Sequence, residues 1–178
     1  MPPEGHRIAP AGRGRPPLAA VLGTAVFVLA VPGTAVVVGP WLLSGWKLRE
    51  PLLDTVWTRW LGLLLLAAAL PLFADFVLRF VREGHGTPAP IAPTRFLVRG
   101  GPFRWTRNPG YLGVLGLLAG QGLVFASPAV LVYAAVIGLA FHAFVVAYEE
   151  PALRRRFGAE YETYCRAVPR WLPRPPRR

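Results

Sequence analysis

Two kinds of residue are scarce in this sequence, and their scarcity narrows the class of protein. Cys165 is the single cysteine, so no disulfide can form within the chain, and we expect it to be a small, half-buried residue rather than a nucleophile. Nine acidic residues stand against 20 basic ones, which gives a formal net charge of +11. No stretch mixes exposed aromatic and basic side chains as nucleic-acid modules do, so no nucleic-acid partner is expected. Orientation in a membrane and contact with anionic lipid headgroups explain the charge more simply.

Signatures of soluble cofactor and metal sites are also absent. No set of His, Cys and carboxylate residues has the spacing of metal ligands, and His6 and His85 stand alone, so no metal site is predicted. The chain has no hydrolase triad signature, no phosphate-binding glycine loop and no dinucleotide fingerprint after a strand. These absences exclude a soluble nucleotide-binding fold, and any nucleotide-like cofactor has to bind among helices and loops.

Long apolar runs dominate what the sequence does contain. Hydrophobic residues make up 53% of the chain, and about 20 helical residues cross the hydrocarbon core of a bilayer. We predict an all-α, multi-pass membrane protein with about four transmembrane helices, at residues 18–43, 57–81, 111–125 and 129–148. Pro32-Gly33 and Pro40 predict a kink or a break in the first span. Basic residues gather in the N-terminus, the long loop and the tail, so the positive-inside rule places both termini in the cytoplasm. The use of arginine in place of lysine hints at a bacterial plasma membrane.

The chain divides into four parts by composition. We predict a disordered basic N-terminus at 1–17, a two-span membrane platform at 18–83, a core at 84–170 and a basic tail at 171–178. The core begins with a proline-rich loop, 84–110, whose arginine and aromatic residues suit the bilayer surface. Pro151 predicts the first turn of a C-terminal interfacial amphipathic helix, whose apolar stripe is Leu153, Phe157, Tyr161 and Tyr164.

Some polar and small residues inside the spans have two readings. Asp75 lies in the second span, where an ionisable group is a functional candidate, but Arg79 four residues later favours a structural pair. Gly113, Gly116 and Gly120 recur at helical spacing. This spacing suits tight helix packing and the close approach of a ligand equally well.

The residues best suited to chemistry gather at the end of the fourth span. His142, Glu149 and Glu150 fall on one face of a regular helix. Adjacent carboxylates at a membrane boundary need a cation or a ligand. Because Arg154 follows Glu150 by one helical turn, Glu150 is expected to be paired, which leaves Glu149, or the two jointly, to face a site. A lone histidine such as His142 is more often a packed, hydrogen-bonded residue than a base.

The second half of the chain resembles a known family. The residues that carry the resemblance are Gly101-Pro102-Phe103-Arg104, Arg107-Asn108-Pro109-Gly110-Tyr111-Leu112-Gly113, Tyr148-Glu149-Glu150-Pro151-Ala152-Leu153, Phe157-Gly158, Tyr161, Tyr164 and Val168-Pro169-Arg170-Trp171. This pattern is similar to the isoprenylcysteine carboxyl methyltransferase and phospholipid methyltransferase group, and Gly86-Thr87-Pro88-Ala89-Pro90 resembles its bacterial members. The first two spans match only as generic hydrophobic helices.

The resemblance implies S-adenosylmethionine bound between the third and fourth spans, beneath the loop and the C-terminal helix. It places Asn108, Tyr111, Gly113, Glu149 and Glu150 at the cofactor pocket. Many members have histidine where this chain has Asn108, and an asparagine can bond but cannot titrate.

The chemistry of that cofactor agrees with the residues present. Glu149 and Glu150 suit its ammonium or ribose hydroxyls, Arg104 or Arg107 its carboxylate, and Tyr111 an adenine face. The resulting candidate site has three groups: catalytic Arg107 and Glu149; cofactor-binding Arg104, Asn108, Tyr111, Gly113, Glu149 and Glu150; substrate-binding His142, Tyr161, Tyr164 and Arg170.

The expected partners are a lipid or prenylated small substrate and membrane lipids, with no obligate protein partner evident. A carboxylate acceptor is already ionised near pH 7, whereas an amine would need His142 or Glu149 as a base. With Asn108 in place of histidine, an acceptor that needs no deprotonation is favoured.

Two other functions stay open at this point. A membrane enone or sterol reductase using NADPH has a similar C-terminal half, although such reductases usually show His-Pro-Asn-Tyr where this chain has Asn108-Pro109-Gly110-Tyr111. A non-catalytic scaffold that binds anionic lipid is the other alternative, and the ordered polar clusters make it the least favoured.

Overall fold

The structure is a computed structural model that describes residues 22–23, 25–26, 28–82 and 97–175. Every regular element within these ranges is helical, which confirms the all-α prediction for the described part of the chain. Predictions for residues 1–17, His6, His85, the Gly86–Pro90 stretch and the end of the tail lie outside the described residues.

The first apolar segment is distorted at both of its prolines, as predicted. A π-helix, Leu29–Val38, contains Pro32 and runs directly into a short α-helix, α1 (Gly39–Ser44). Pro40 has no N–H, so it cannot donate to the carbonyl of Val36 as an α-helical residue would. That carbonyl accepts instead from Nε2 of Gln121 at 2.9 Å. The Gln121 side chain therefore supports a break that proline creates.

Helices α2 (Trp57–Arg82) and α3 (Pro109–Val124) form an antiparallel pair in which glycines set the separation. Gly113 lies against Phe73, Gly116 against Ala69, and Gly120 against Gly62. A Cβ atom on Gly120 would stand 2.9 Å from the backbone oxygen of Gly62, closer than real Cβ contacts come. Between the two readings of this glycine spacing, the described contacts are those of tight helix packing.

Helix α4 (Pro128–Phe144) turns back along α3 through a tight connection. Ser127 is completely buried there, and its hydroxyl accepts a hydrogen bond from the backbone N–H of Val130 at the start of the helix. The hairpin returns the end of α4 to the side where α3 begins, so the polar residues flanking the hairpin meet.

Two helices are long and apolar enough to cross a bilayer by length and composition: Trp57–Arg79 and the continuous run Pro128–Ala167. In their most apolar stretches only 11% and 17% of the residues are buried, so most of this apolar surface faces outward rather than into a core. Ala30–Ser44 and Pro109–Val124 are apolar but shorter. The ion pair predicted between Asp75 and Arg79 forms at 2.8 Å near the end of α2.

A single π turn, Val145–Glu149, joins α4 to the last helix, α5 (Glu150–Ala167). Pro151 lies in the first turn of α5, as predicted. Gly158 interrupts α5 with φ +49° and ψ −126°, a conformation that favours glycine. The resulting bend brings Nε of Arg154 to 2.8 Å from Oε1 of Glu162, residues that a straight helix would hold about 12 Å apart along its axis.

The predicted apolar stripe of α5 packs inward. Tyr161, Tyr164 and Val168 form a buried cluster, and four other side chains pack on it: Leu97, Leu153, Phe157 and Cys165. This confirms the amphipathic pattern of the helix and explains the half-buried cysteine.

Beyond α5, residues 168–174 cross the start of α3, and we call this segment the C-terminal strap. The backbone oxygen of Pro169 accepts from the N–H of Arg107 at 2.9 Å, and the oxygen of Arg170 accepts from the hydroxyl of Thr106 at 3.0 Å. The N–H of Arg174 donates to the oxygen of Trp105 at 3.0 Å. The strap thus ties the end of the chain to the loop before α3, and its contacts continue past residue 170.

Candidate functional site

A cavity lies between the loop before α3, the π turn and α5. Its volume is about 70 Å³, and it opens to the surface. This is smaller than the roughly 300–1,000 Å³ of typical small-molecule sites, so a cofactor-sized ligand would extend into the open mouth. The lining residues are Leu97, Val98, Phe103, Arg107, Asn108, Val145, Glu149, Glu150, Leu153, Tyr161 and Tyr164.

Glu150 is the more heavily bonded of the two adjacent carboxylates, and it is 2% exposed. Arg170 donates two hydrogen bonds to it, from Nε at 2.6 Å and from a terminal nitrogen at 3.1 Å. Arg107 reaches it at 3.1 Å and Arg154 at 3.3 Å, the second pair as predicted from the sequence. Burial raises the pKa of Glu150, but the hydrogen bond from Arg170 and the charges of the three arginines outweigh it and hold the pKa below its usual value.

Glu149 is bonded very differently. Its Oε2 accepts a hydrogen bond of 2.7 Å from the hydroxyl of Tyr111. Within the described part of the chain, no arginine, lysine or histidine forms an ion pair with it. Glu149 therefore presents to the cavity a carboxylate that has no cationic partner among the described residues, and such a group in a partly buried site is costly unless a ligand compensates it.

The π turn determines which side chains reach the cavity. The N–H of Glu150 bonds the carbonyl of Val145, five residues back rather than four. This extra residue shifts the helical register between His142 and the acidic pair. His142 is exposed, and its Nδ1 accepts a hydrogen bond of 3.1 Å from the indole of Trp171. The structure thus places His142 as the bonded histidine that the sequence favoured, outside the cavity lining.

Arg107 has an unused donor in the cavity region. One terminal nitrogen lies 3.1 Å from Glu150 and 2.7 Å from the sulfur of Cys165, and the side chain is 11% exposed. Its Nε is buried and has no hydrogen-bond partner among the described residues. A buried donor of this kind is normally satisfied, so Nε is suited to an acceptor atom of a ligand.

Asn108 lines the cavity and also holds the strap. Its side-chain nitrogen donates to the backbone oxygen of Arg170 at 3.0 Å, and the residue is 6% exposed. This hydrogen bond uses one of the two N–H donors of the amide, and through it Asn108 helps to build the wall of the cavity.

Four of the other predicted site residues lie outside the lining. Tyr111 contacts the cavity only through Glu149, and its ring packs on Phe141 with centroids 4.6 Å apart. Gly113 lies in the interface with α2, where the absence of a side chain allows close contact with Phe73, and it does not line the cavity. Arg104 is exposed outside the lining, and Arg170 acts on Glu150 rather than on the cavity.

Tyr161 and Tyr164 do line the cavity. The hydroxyl of Tyr164 donates to the backbone oxygen of Phe103 at 2.7 Å, which fixes α5 to the loop. Sequence reasoning missed the role of Trp171, whose ring lies 6.4 Å from that of Tyr111 and 6.1 Å from that of His142. A large aromatic residue inside a basic tail is the signal that marks it.

Comparisons with known proteins give a consistent result. The sequence profile of the phospholipid methyltransferase family matches residues 57–160, more than half of the chain and most of the cavity lining. Two curated proteins, from Oryza sativa subsp. indica and subsp. japonica, carry the name "Probable protein-S-isoprenylcysteine O-methyltransferase". Each is 35% identical over 77 residues, which cover 43% of this chain and 40% of the relative, so the chain spans less than half the length of the curated relatives it matches. No solved structure matches the chain.

Proposed function

The chain belongs to the phospholipid methyltransferase family, and from this premise we propose that it transfers a methyl group from S-adenosylmethionine to a lipidic or prenylated acceptor at a membrane. The observation that carries the proposal is the different bonding of the two adjacent glutamates. Glu150 is neutralised by arginines, whereas Glu149 faces the cavity with a tyrosine hydroxyl as its partner.

The residues present fit the amino-acid end of this cofactor. Glu149 would hold the ammonium group, since a carboxylate without a cationic neighbour favours a positive ligand. Arg107 would hold the carboxylate through its unpartnered Nε. When bound, S-adenosylmethionine supplies an activated methyl group on its sulfonium sulfur. The chain contributes alignment and exclusion of water, for which the apolar lining residues Leu97, Val145 and Leu153 are suited.

The cavity supports an acceptor that is already ionised. Asn108 cannot titrate, and His142 lies outside the lining. Glu149 would be engaged with the cofactor, so the described lining offers no separate acid–base group placed to take a proton from an amine. A carboxylate acceptor requires no such group near pH 7. The names of the two rice relatives, which are O-methyltransferases, agree with this choice.

Four membrane spans with both termini on the cytoplasmic side remain part of the proposal. The helical end away from the cavity carries exposed tryptophans: Trp41, Trp46, Trp57 and Trp60. Tryptophan is enriched where a span leaves the hydrocarbon core. About 33 Å of helix separates Trp57 from Arg79, close to the roughly 30 Å thickness of that core. This distance supports a position of the cavity at the opposite interface, within reach of a water-soluble cofactor and a membrane-borne acceptor.

Calorimetric titration of S-adenosylmethionine and its demethylated product into the detergent-purified protein tests the cofactor. We expect saturable binding that Glu149→Gln weakens strongly. Glu160→Gln, the same change at an exposed glutamate of α5, serves as the matched control and should bind like the wild type. Absence of binding by folded wild-type protein, with binding of NADPH in a parallel titration, would replace this proposal by the reductase.

A further inference from the structure

Arg170 and Glu150 form the best-bonded ion pair among the described residues. The guanidinium of Arg170 contacts both carboxylate oxygens of Glu150, at 2.6 and 3.1 Å. Such bidentate contacts fix the orientation of the guanidinium relative to the carboxylate as well as the distance between them. The pair links the C-terminal strap to the first residue of α5, two segments far apart in sequence.

The bonding capacity of Glu150 decides its role. An ionised carboxylate accepts about four hydrogen bonds, roughly two at each oxygen. Oε1 is contacted by Arg170 and Arg107, and Oε2 by Arg170 and Arg154. Three of these contacts are hydrogen bonds, from Arg170 and Arg154, and the fourth is the ion pair with Arg107. The sequence placed Glu150 among the cofactor ligands, whereas these contacts favour a role in holding the arginines.

Arg107 is the member of this cluster that reaches the cavity. Its position depends on Glu150 at 3.1 Å and on its own backbone N–H, which donates to Pro169 of the strap at 2.9 Å. Both restraints lead to the same element, because Arg170 follows Pro169 and holds the same carboxylate. Loosening Arg170 would therefore weaken a restraint on the side chain and one on the backbone of Arg107, while its contact with Cys165 at 2.7 Å remains.

We infer that Arg170 and Glu150 are a positioning pair, which acts through Arg107 and does not touch the cofactor. The pair orients the unpartnered Nε of Arg107 toward the carboxylate of S-adenosylmethionine. This inference rests on the proposed function and deepens it, since it assigns recognition of one ligand group to a contact made by the strap.

The cluster around Glu150 contains more positive than negative charge. Three arginines, Arg107, Arg154 and Arg170, surround Glu150, so the cluster carries a net charge of +2 at neutral pH. Arg154 is 44% exposed and additionally bonded to Glu162, so solvent and that glutamate weaken its effect. The charge left at the buried side of the cluster is that of Arg107, where an anionic ligand group would be favoured.

Two ligands that differ in one group distinguish positioning from general support of the fold. S-adenosylmethionine has the carboxylate, whereas its decarboxylated analogue keeps the ammonium and the sulfonium. In wild-type protein we expect the first to bind more tightly. In Arg170→Ala we expect the dissociation constant for S-adenosylmethionine to rise by roughly 10- to 100-fold, the effect of losing a charge-assisted hydrogen bond. The constant for the analogue should change by less than about threefold.

Arg166→Ala is the matched control, because Arg166 is an exposed arginine of α5 whose bond goes to Thr163. It should leave both constants unchanged. Arg170→Lys keeps the charge but loses the bidentate contact. Its dissociation constant for S-adenosylmethionine should rise by less than that of Arg170→Ala, and the constant for the decarboxylated analogue should again change little. This conservative variant gives the answer should Arg170→Ala fail to fold.

The outcomes separate the two proposals. Equal weakening of both ligands in the Arg170 variants, or no weakening of either, would overturn the positioning role and leave the proposed function standing. Failure of the folded wild-type protein to bind S-adenosylmethionine would overturn the proposed function, and the positioning role with it.

Discussion

The hydroxyl of Tyr111 donates a hydrogen bond of 2.7 Å to Oε2 of Glu149 and so connects the first turn of α3 to the π turn that precedes α5. The ring of Tyr111 is held from two sides, by Phe141 and by Trp171 of the strap. The hydroxyl consequently has little freedom to leave the carboxylate. This geometry suits Tyr111 to orienting Glu149, and the adenine contact suggested by the sequence stays a prediction.

The first prediction concerns this contact. Tyr111→Phe keeps the ring between its neighbours and removes only the hydroxyl, so the carboxylate of Glu149 loses its partner. We expect S-adenosylmethionine to bind roughly tenfold more weakly, since a hydrogen bond to a charged group contributes about 1.5–3 kcal/mol. Titration calorimetry on the purified protein measures the change. Tyr148→Phe, which alters a tyrosine that is 49% exposed, should bind normally. Unchanged binding by Tyr111→Phe would show that Glu149 needs no orientation.

The second prediction concerns the glycine contacts between α2 and α3. Gly120→Ala introduces a Cβ 2.9 Å from the backbone oxygen of Gly62, and backbone cannot move aside as a flexible side chain can. We expect the free energy of unfolding to fall by about 1–3 kcal/mol, the usual cost of overpacking. Thermal unfolding in detergent gives the comparison.

Gly138→Ala, the same substitution in helix α4, is the matched control for Gly120→Ala. Its new Cβ would lie 3.5 Å from a methyl group of Leu115, which is ordinary contact, and alanine favours the helix by up to about 1 kcal/mol over glycine. It should therefore be neutral or stabilising. A Gly120→Ala protein as stable as Gly138→Ala would contradict the close approach of the two backbones.

Local patterns predicted much of this architecture, because they report on neighbours along one helix. The Arg154–Glu150 pair and the stripe of α5 follow from helical spacing alone, and both are present. The Gly113–Gly120 spacing predicted a close approach but could not say what approaches, since a helix and a ligand need the same bare surface.

The remaining features depend on contacts between distant segments. The π turn has no residue pattern of its own, and it shifts the helical register between His142 and the acidic pair. The four contacts on Glu150 come from α5, the strap and the loop before α3. No spacing rule brings Arg170 to Glu150, because the bend at Gly158 decides where the strap crosses.

The third prediction is the pH dependence that follows from Glu150. Its pKa is lower in the folded protein than its usual value, because the hydrogen bond from Arg170 and the nearby guanidinium charges outweigh the opposing effect of burial. The folded state therefore binds fewer protons at this group than the unfolded state does. The stabilisation is complete above the unfolded pKa of about 4.3 and is lost as the pH falls through the folded pKa.

Thermal unfolding of the wild type and Glu150→Gln across this range measures the effect. Near neutral pH we expect the variant to be less stable by about 3 kcal/mol or more, because removing one partner leaves buried guanidinium charge uncompensated. The difference between the two proteins should begin to shrink as the pH falls below the unfolded pKa of about 4.3, and it should be lost once the pH falls through the lower, folded pKa of Glu150. Glu160→Gln, whose side chain is 56% exposed and pairs with Arg99 outside this cluster, should follow the wild type throughout. A difference that stays constant or grows in acid would mean that the charge of Glu150 does not hold the strap, and the carboxylate would then act only by its shape.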